Sequence, residues 1–251
     1  MNKCKVCGGP CEDVGGGKFQ CEFCGATFSA SDFAPKSSAV RGGRPESTGG
    51  SDLGADIFEK NVNGVLELTM STGRASGYLI GANGYAVTNS HAVALNDGKS
   101  CGQCQVKIAG ETVSATVVAM GTQDNRMHCT NSDLALIRLS RVPAYATPLK
   151  FADYHKVRTG ERVFVIGNSL GEGLCITSGI VSDKDRDGQL MYDCPTNPGN
   201  SGGPVFNSDG QVIGTHVRGT LNQSGGKAQG MNYAIPSSAV EEFLSRASFR
   251  R

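Results

Sequence analysis

The chain has 251 residues, 38% of them hydrophobic, and a formal net charge of +1. This length suits one ordinary domain with a small appendage, and the balanced charge argues against a nucleic-acid-binding surface spread over the whole molecule. No run approaches the ~20 consecutive apolar residues of a membrane-spanning helix. The many glycines and the absence of tryptophan indicate frequent turns and short strands.

Three regions follow one another along the chain. Residues 1–30 are rich in cysteine and glycine, residues 31–55 are small and polar like a flexible linker, and residues 56–251 contain recurring apolar runs. The first residues lack the apolar stretch of a secretory signal. We therefore expect a cytoplasmic protein whose cysteines stay reduced, which favours metal ligands or buried thiols over disulfides.

The cysteine-rich region contains two Cys-x-x-Cys-Gly pairs separated by thirteen residues. Four thiolates in this arrangement are typical of a closed tetrahedral zinc site, and so small a module would take its folding energy from the metal. We predict a zinc ribbon over residues 1–30 that holds structural Zn²⁺, with an iron site or two disulfides as alternatives. A protein partner for the ribbon stays open, whereas nucleic acid is not expected because the module has few basic residues. The predicted ligands are Cys4, Cys7, Cys21 and Cys24.

Short β-type runs recur in two groups beyond the linker. The first group consists of Val65–Ser71, Ala75–Ile80, Tyr85–Asn89, Val106–Ala109, Thr112–Met120 and Leu134–Leu139. The second group consists of Arg162–Gly167, Ile176–Ser182, Leu190–Cys194, Val205–Asn207, Gln211–Val217 and Asn232–Ile235. Two groups of about six strands predict an all-β fold of two packed six-stranded antiparallel barrels. A capping box from Ser238 to Glu241 predicts one C-terminal helix.

The densest chemical signal is the segment around Ser201, which reads NPGNSGGP from residue 197 to residue 204. A serine hydroxyl is a poor nucleophile, so it needs a base for its proton and donors for the oxyanion that develops. The glycines allow the backbone to turn so that the amides of Gly199 and Ser201 point at one spot and form an oxyanion hole. Taken alone, the segment would also fit a glycine-rich turn without catalytic function.

Two further residues complete a candidate catalytic set. His91 stands just past an apolar strand, and Asp133 directly precedes the apolar run that begins at Leu134. A single histidine or aspartate in such a place is usually structural. Here the order along the chain is histidine, aspartate and serine, which is the order of one known serine-protease triad.

Four segments resemble the trypsin-like serine peptidases: TNSHAV around His91, SDLALI around Asp133, NPGNSGGPVFN around Ser201, and GMNYAIPSSAV near the end of the chain. They look most like Deg-type (high-temperature-requirement) proteases and staphylococcal glutamyl endopeptidases. The resemblance implies a chymotrypsin-like fold and a serine endopeptidase that acts on polypeptides without a catalytic cofactor. It also implies that His91 is general base and then general acid, that Asp133 orients it, and that Ser201 forms the acyl-enzyme.

The resemblance also indicates which residues bind the substrate. Thr196 lies five residues before Ser201 and His216 fifteen after it, a pair similar to those of glutamyl endopeptidases and picornaviral processing proteases. Because imidazole and hydroxyl groups can hydrogen-bond a carboxylate or an amide, we expect Glu or Gln at P1, the residue before the scissile bond. The alternative is the small aliphatic preference of Deg-type proteases. Basic specificity is not expected, because Pro195 stands where such enzymes usually carry aspartate.

A second cysteine cluster lies within the first group of strands. Cys101 and Cys104 open the run that begins at Val106, and the hairpin that follows would bring this end beside His128 and Cys129. The four side chains predict a second metal site, with free thiols or a local disulfide as the alternative.

A rival function of a different class is a non-catalytic binding protein whose peptidase fold is a scaffold for the zinc ribbon. The complete set of His91, Asp133 and Ser201 favours an active endopeptidase over such a scaffold.

Overall fold

The computed structural model describes residues 10–22, 26–29, 52–71, 73–122, 131–221 and 227–247. The chain divides into two compact units, residues 1–49 and 50–251. In the first unit, three short strands form an antiparallel sheet in chain order; they are β1 Cys11–Gly15, β2 Lys18–Cys21 and β3 Thr27–Ser29. Cys11 lies opposite Cys21 across β1 and β2, and both side chains are buried in a small cluster with Phe19, Ala26 and Phe28.

The second unit is built on two barrels. The strands of the first are β4 Val65–Met70, β5 Gly73–Leu79, β6 Tyr85–Thr88, β7 Gln103–Ile108, β8 Glu111–Met120 and β9 Ala135–Leu139. The strands of the second are β10 Arg162–Asn168, β11 Leu174–Arg186, β12 Gln189–Tyr192, β13 Pro204–Phe206, β14 Val212–Leu221 and β15 Lys227–Pro236. All pairs are antiparallel, and the sheets close in the orders β4-β5-β6-β9-β8-β7 and β10-β11-β12-β15-β14-β13. The prediction of two six-stranded antiparallel barrels is confirmed.

Some strands are longer than their apolar runs. β7 begins at Gln103 rather than Val106, because Cys104 continues the inward alternation of Val106 and Ile108 while the residues between them face solvent. β11 runs from Leu174 to Arg186 and includes exposed and half-buried positions. Prediction from hydrophobic runs misses such extensions, since a single buried position between exposed ones, or a stretch held by ladder hydrogen bonds, does not form an apolar run.

Apolar side chains form three clusters in the second unit. Strand alternation places one cluster inside each barrel, and the third contains buried residues of both barrels, among them Tyr78, Val87, Phe164, Ile166 and Phe206. Full burial of such side chains stabilises the fold by ~1.5–3 kcal/mol each. The barrels are also joined by a hydrogen bond of 2.8 Å between Tyr78 Oη and Thr215 Oγ1.

Two α-helices accompany the barrels within the described residues. α1 (Leu53–Asn61) was not predicted; it buries Ile57 and stands where the linker was expected to end. α2 (Ser237–Arg246) confirms the C-terminal helix and buries Val240 and Leu244. The predicted capping box from Ser238 to Glu241 is wrong, because the N-cap is Pro236 and no side chain caps the helix. Among the described residues, no helix is long and apolar enough to cross a membrane.

Candidate active site

Buried polar side chains of the loop after β6 form hydrogen bonds with the residues just before β9. Asn89 Nδ2 donates to the carbonyl of Asp133 at 2.8 Å, and Ser90 Oγ donates to the carbonyl of Leu134 at 2.6 Å. Both side chains are fully buried, so neither bond competes with water. Asn89 and Ser90, the polar residues that precede His91, therefore hold His91 beside Asp133.

His91 and Asp133 form a two-point contact. The Nδ1 atom of His91 lies 2.6 Å from Oδ2 of Asp133, and the His91 backbone amide donates to Oδ1 at 2.9 Å. The carboxylate side chain is 2% exposed, whereas the imidazole is 39% exposed. Since an ionised carboxylate only accepts hydrogen bonds, the Nδ1 proton must lie between the two groups, which leaves the lone pair of the neutral ring on Nε2.

Ser76 in β5 connects the first barrel to the loop that carries Ser201 (residues 197–203, here called the serine loop). Its amide donates to the carbonyl of Ser201 at 2.8 Å, and its hydroxyl donates to the carbonyl of Gly199 at 2.7 Å. The same hydroxyl accepts from the amide of Asn168 at 2.8 Å, and the carbonyl of Ser76 accepts from Thr88 Oγ1 at 2.7 Å. One buried serine thus links the end of β6 with the loop that carries Ser201. Sequence reasoning missed it, because an isolated serine in a strand has no local signal.

Two positions in the serine loop accept only glycine. Gly199 has φ of +100°, and a Cβ there would lie 2.1 Å from the carbonyl oxygen of Asn168. Gly202 has φ of +83°, and its Cβ would lie 2.3 Å from the carbonyl oxygen of Ser76. A side chain at either position would meet both backbone strain and a steric clash. This close packing explains the glycines that flank Ser201.

The predicted oxyanion hole has its donors available. Among the described residues, the amides of Gly199 and Ser201 donate to no acceptor. In the same part of the chain, no hydrogen bond joins the Ser201 hydroxyl to His91. Catalytic hydrogen bonds often tighten only when substrate binds. His91 and Asp133 thus form a hydrogen-bonded pair. Ser201 lies in another loop, which no hydrogen bond among the described residues joins to this pair.

Thr196 and His216 lie in a buried polar cluster of the second barrel. Thr196 is 4% exposed and His216 is 3% exposed. Thr196 Oγ1 donates to Asn232 Oδ1 at 2.6 Å, and Asn232 Nδ2 donates to the carbonyl of Cys194 at 2.7 Å. The Tyr192 hydroxyl lies 2.6 Å from Nδ1 of His216. Burial raises the pKa of Tyr192 well above its usual value, so its hydroxyl stays protonated.

Tyr192 and Asn232 were given no role by the sequence prediction. A signal existed for the tyrosine, since Tyr192 stands two residues after Leu190 and four before Thr196; the structure buries all three. This period of two predicts that Tyr192 and Thr196 face the same way. No comparable signal marks Asn232.

The predicted metal ligands are only partly described. Cys21 lies in the sheet of the first unit, while Cys4, Cys7 and Cys24 lie outside the described residues. Of the second cluster, Cys101 and Cys104 are described as thiols and His128 and Cys129 lie outside. Burial raises the pKa of the Cys104 thiol to about 11. No group of three or more metal-binding side chains occurs within the described ranges, so both sites stay predictions.

Comparison with known proteins places this architecture in a family. A model of the trypsin-like peptidase domain matches residues 75–214. The chain belongs to the trypsin-like peptidases. A probable periplasmic serine endoprotease of the DegP-like type from Rhizobium meliloti is 35% identical over 178 residues, which cover 68% of this chain and 32% of the relative. A probable periplasmic serine protease of the do/HhoA-like type from Haemophilus influenzae is 35% identical over 193 residues, 71% of this chain and 38% of the relative.

Solved structures of this trypsin-like family agree with the barrel architecture. The HtrA-type protease AlgW with a tripeptide superposes with a TM-score of 0.65 at 25% identity and covers 78% of this chain and 63% of that chain. The predicted resemblance to Deg-type proteases is confirmed, and the second unit is a trypsin-like serine peptidase domain. The chain spans about a third of the length of the curated relatives it matches.

The predicted cytoplasmic location is contradicted. The DegP-like and do/HhoA-like relatives are named periplasmic serine proteases. The prediction rested on the lack of an apolar leader in the first residues. A signal peptide is recognised by the export machinery and is not part of the folded barrels, so it is independent of the similarity between the barrels.

Proposed function

We propose that this chain is a serine endopeptidase that cleaves polypeptides through an acyl-enzyme at Ser201. One observation carries the proposal: the buried Asp133 carboxylate holds His91 at 2.6 Å, and the amides of Gly199 and Ser201 donate to no described acceptor. Base, nucleophile and oxyanion donors are the parts that acyl transfer requires.

The chemistry follows from the position of the protons. As Ser201 Oγ attacks the substrate carbonyl carbon, its proton passes to Nε2 of His91, and the amides of Gly199 and Ser201 bind the negative oxygen. The C–N bond then breaks, and Nε2 returns the proton to the leaving amine. Water attacks the resulting ester with His91 again as base, which releases the carboxylic acid and restores Ser201. Asp133 stays ionised throughout and stabilises the imidazolium.

For P1 we propose Glu or Gln, bound by Thr196 and His216. The support is the position of these residues, since the His216 carbonyl accepts from the amide of Gly202, the neighbour of Ser201, at 2.8 Å, and Thr196 lies five residues before Ser201. The competing specificity is a small aliphatic P1 residue, as the resemblance to Deg-type proteases implies. The competing function of another class is a scaffold without catalysis.

A peptide library with Ser201→Ala as the matched control tests these proposals together. Wild-type protein should react with a fluorophosphonate at Ser201 and cleave after Glu or Gln, while the variant should lose at least ~1000-fold of activity. Absence of both labelling and cleavage would support the scaffold. Cleavage after Val or Ala would support the aliphatic pocket.

Zinc in the first unit is a second proposal, with Cys4, Cys7, Cys21 and Cys24 as ligands. It is supported by the burial of Cys21 in a sheet of three short strands, because a sheet this small rarely folds without a metal or another staple. Elemental analysis of the full chain should find about one zinc equivalent for this site. Cys21→Ser should remove it, whereas Cys175→Ser, at an exposed cysteine, should not.

The same measurement tests the proposed second site. If Cys101, Cys104, His128 and Cys129 also bind zinc, the full chain should hold about two equivalents. Cys104→Ser should then lower the content by one equivalent while Cys21 keeps its metal. A single equivalent that is insensitive to Cys104→Ser would refute the second site.

A further inference from the structure

The two proposed oxyanion donors belong to peptide units that lie on either side of one further peptide unit. The Gly199 amide is part of the unit that joins Pro198 to Gly199. The Ser201 amide is part of the unit that joins Asn200 to Ser201. Between them lies the unit formed by the Gly199 carbonyl and the Asn200 amide, here called the middle unit. Because each peptide unit is planar, the orientation of the middle unit sets the angle between the two donors.

The two outer units are held by backbone hydrogen bonds. The carbonyl of Pro198 accepts from the amide of Leu170 at 2.7 Å. The carbonyl of Asn200 accepts from the amide of Gly203 at 2.9 Å. Since the carbonyl and the N–H of a trans peptide unit point in opposite directions, these bonds direct both donor amides away from the groups that hold the carbonyls. The backbone alone therefore directs each donor.

The middle unit is held from outside the serine loop by Ser76. The Ser76 hydroxyl donates to the Gly199 carbonyl at 2.7 Å, and no other group among the described residues bonds this carbonyl. The same oxygen accepts from the amide of Asn168 at 2.8 Å, so both the donor and an acceptor site of the hydroxyl are in use. Ser76 is fully buried, and water does not compete for these bonds.

The packing around this hydroxyl is close. A Cβ at Gly167 in β10 would lie 3.0 Å from Ser76 Oγ and 3.2 Å from Asn200 Oδ1. Both distances are shorter than an ordinary van der Waals contact, so a methyl group at this position would displace the groups that it meets. Gly167 does not have a positive φ, and its replacement would therefore act through these contacts rather than through backbone strain.

We propose that Ser76 is a positioning residue for the oxyanion hole, because its hydroxyl holds the middle unit between the two donors. This inference rests on the proposed function and names a residue of the first barrel on which stabilisation of the transition state depends. Donors of an oxyanion hole act at about 2.7–3.1 Å from the oxygen, and a misplacement of about 1 Å can cost about 10²-fold in rate. The loss should appear in kcat, since the oxyanion forms only as the reaction proceeds.

The substitution Ser76→Ala in the full-length chain tests this role. On one peptide that the wild-type protein cleaves, kcat should fall about 10²-fold while KM changes by less than about threefold. A peptide boronic acid gives a second readout, because its tetrahedral adduct with Ser201 places an oxygen between the two donors. Its inhibition constant should rise about 10²-fold. The same peptide ending in a carboxamide forms no adduct, and its inhibition constant should stay at the wild-type value.

The matched control for lost stability is Asn61→Ala. Asn61 is buried in α1, and its Nδ2 atom donates to the carbonyl of Ile57 at 2.9 Å, so this variant also loses a buried hydrogen bond to the backbone. It should keep the wild-type kcat and the wild-type affinity for the boronic acid. Equal losses in both variants would show that Ser76 is only structural and would overturn the inference. A folded Ser76→Ala protein with wild-type kcat would overturn it as well.

A second variant, Gly167→Ala, decides the question if Ser76→Ala does not fold. It keeps the hydroxyl but crowds it, so kcat and the affinity for the boronic acid should each fall about tenfold. Wild-type values in this variant would overturn the inference and leave the serine endopeptidase intact. Fluorophosphonate labelling tests the proposed function separately, since wild-type protein that is neither labelled nor active overturns that function and this inference with it.

Discussion

Two histidines of the peptidase domain make hydrogen bonds of the same length through Nδ1, yet their partners differ. His91 lies 2.6 Å from a carboxylate, and His216 lies 2.6 Å from a tyrosine hydroxyl. The carboxylate of Asp133 can only accept, so it leaves Nε2 of His91 as a base. The hydroxyl of Tyr192 donates, so it leaves Nε2 of His216 as a donor. The hydrogen-bond partner of Nδ1 therefore decides whether Nε2 of a histidine accepts or donates a hydrogen bond.

The largest expected effect comes from changing the partner of His91. In Asp133→Asn the side-chain amide can donate to Nδ1, which would place the ring proton on Nε2 and block proton transfer from Ser201. We expect kcat to fall ~10⁴-fold with little change in KM. Steady-state kinetics on one peptide measures this, and Asp209→Asn, at an exposed turn, is the control. A loss below tenfold would mean that Asp133 does not set the tautomer.

The next largest effect should come from the loop that carries Ser201, whose Gly202 amide donates to the carbonyl of His216. Gly199→Ala would place a Cβ 2.1 Å from the carbonyl of Asn168, so the loop must shift and the oxyanion donors with it. Loss of one such donor costs ~10²–10³-fold in kcat. Gly160→Ala is the matched control, because Gly160 has a similar φ of +90° with no atom near its Cβ position. Equal losses in both variants would attribute the effect to backbone strain alone.

A smaller effect is expected in the pocket. Asn232→Ala removes the oxygen that accepts from the Thr196 hydroxyl at 2.6 Å, so Thr196 is held less firmly in the proposed pocket. The kcat/KM for peptides with Glu or Gln at P1 should fall about tenfold, mainly through KM. Steady-state kinetics on peptides that differ only at P1 measures it. An unchanged kcat/KM would show that Asn232 does not position Thr196.

The smallest effect concerns stability rather than catalysis. Ser90→Ala removes a buried hydroxyl that donates to the carbonyls of Leu134 and Gly121 at 2.6 and 3.1 Å. The free energy of unfolding should fall by ~1–3 kcal/mol, as measured by urea denaturation. Ser208→Ala, at an exposed turn, should change it by less than ~0.5 kcal/mol.

Much of the candidate site could be proposed from local sequence. The segments around His91, Asp133 and Ser201 have the residue types and chain order of a triad, and the alternating strand runs predicted two barrels. The order of elements could be read because hydrophobic periodicity is a local property of the chain. The start of α2 was predicted wrongly, because the helix begins directly after Pro236, the last residue of β15, and no side chain caps it.

The fold class, the family and the residues proposed for catalysis could therefore be inferred from the amino-acid sequence, because each rests on short motifs or on periodicity. The role of Ser76 is visible only in the folded protein, where this residue joins β5 to a loop more than a hundred residues later. The tertiary structure also placed Tyr192 and Asn232 on His216 and Thr196. These contacts join residues far apart in the chain, and a hydrogen bond depends on distance and direction in space. Spacing along the sequence encodes neither quantity, so the ring nitrogen that carries the proton in each histidine could be assigned only from the folded structure.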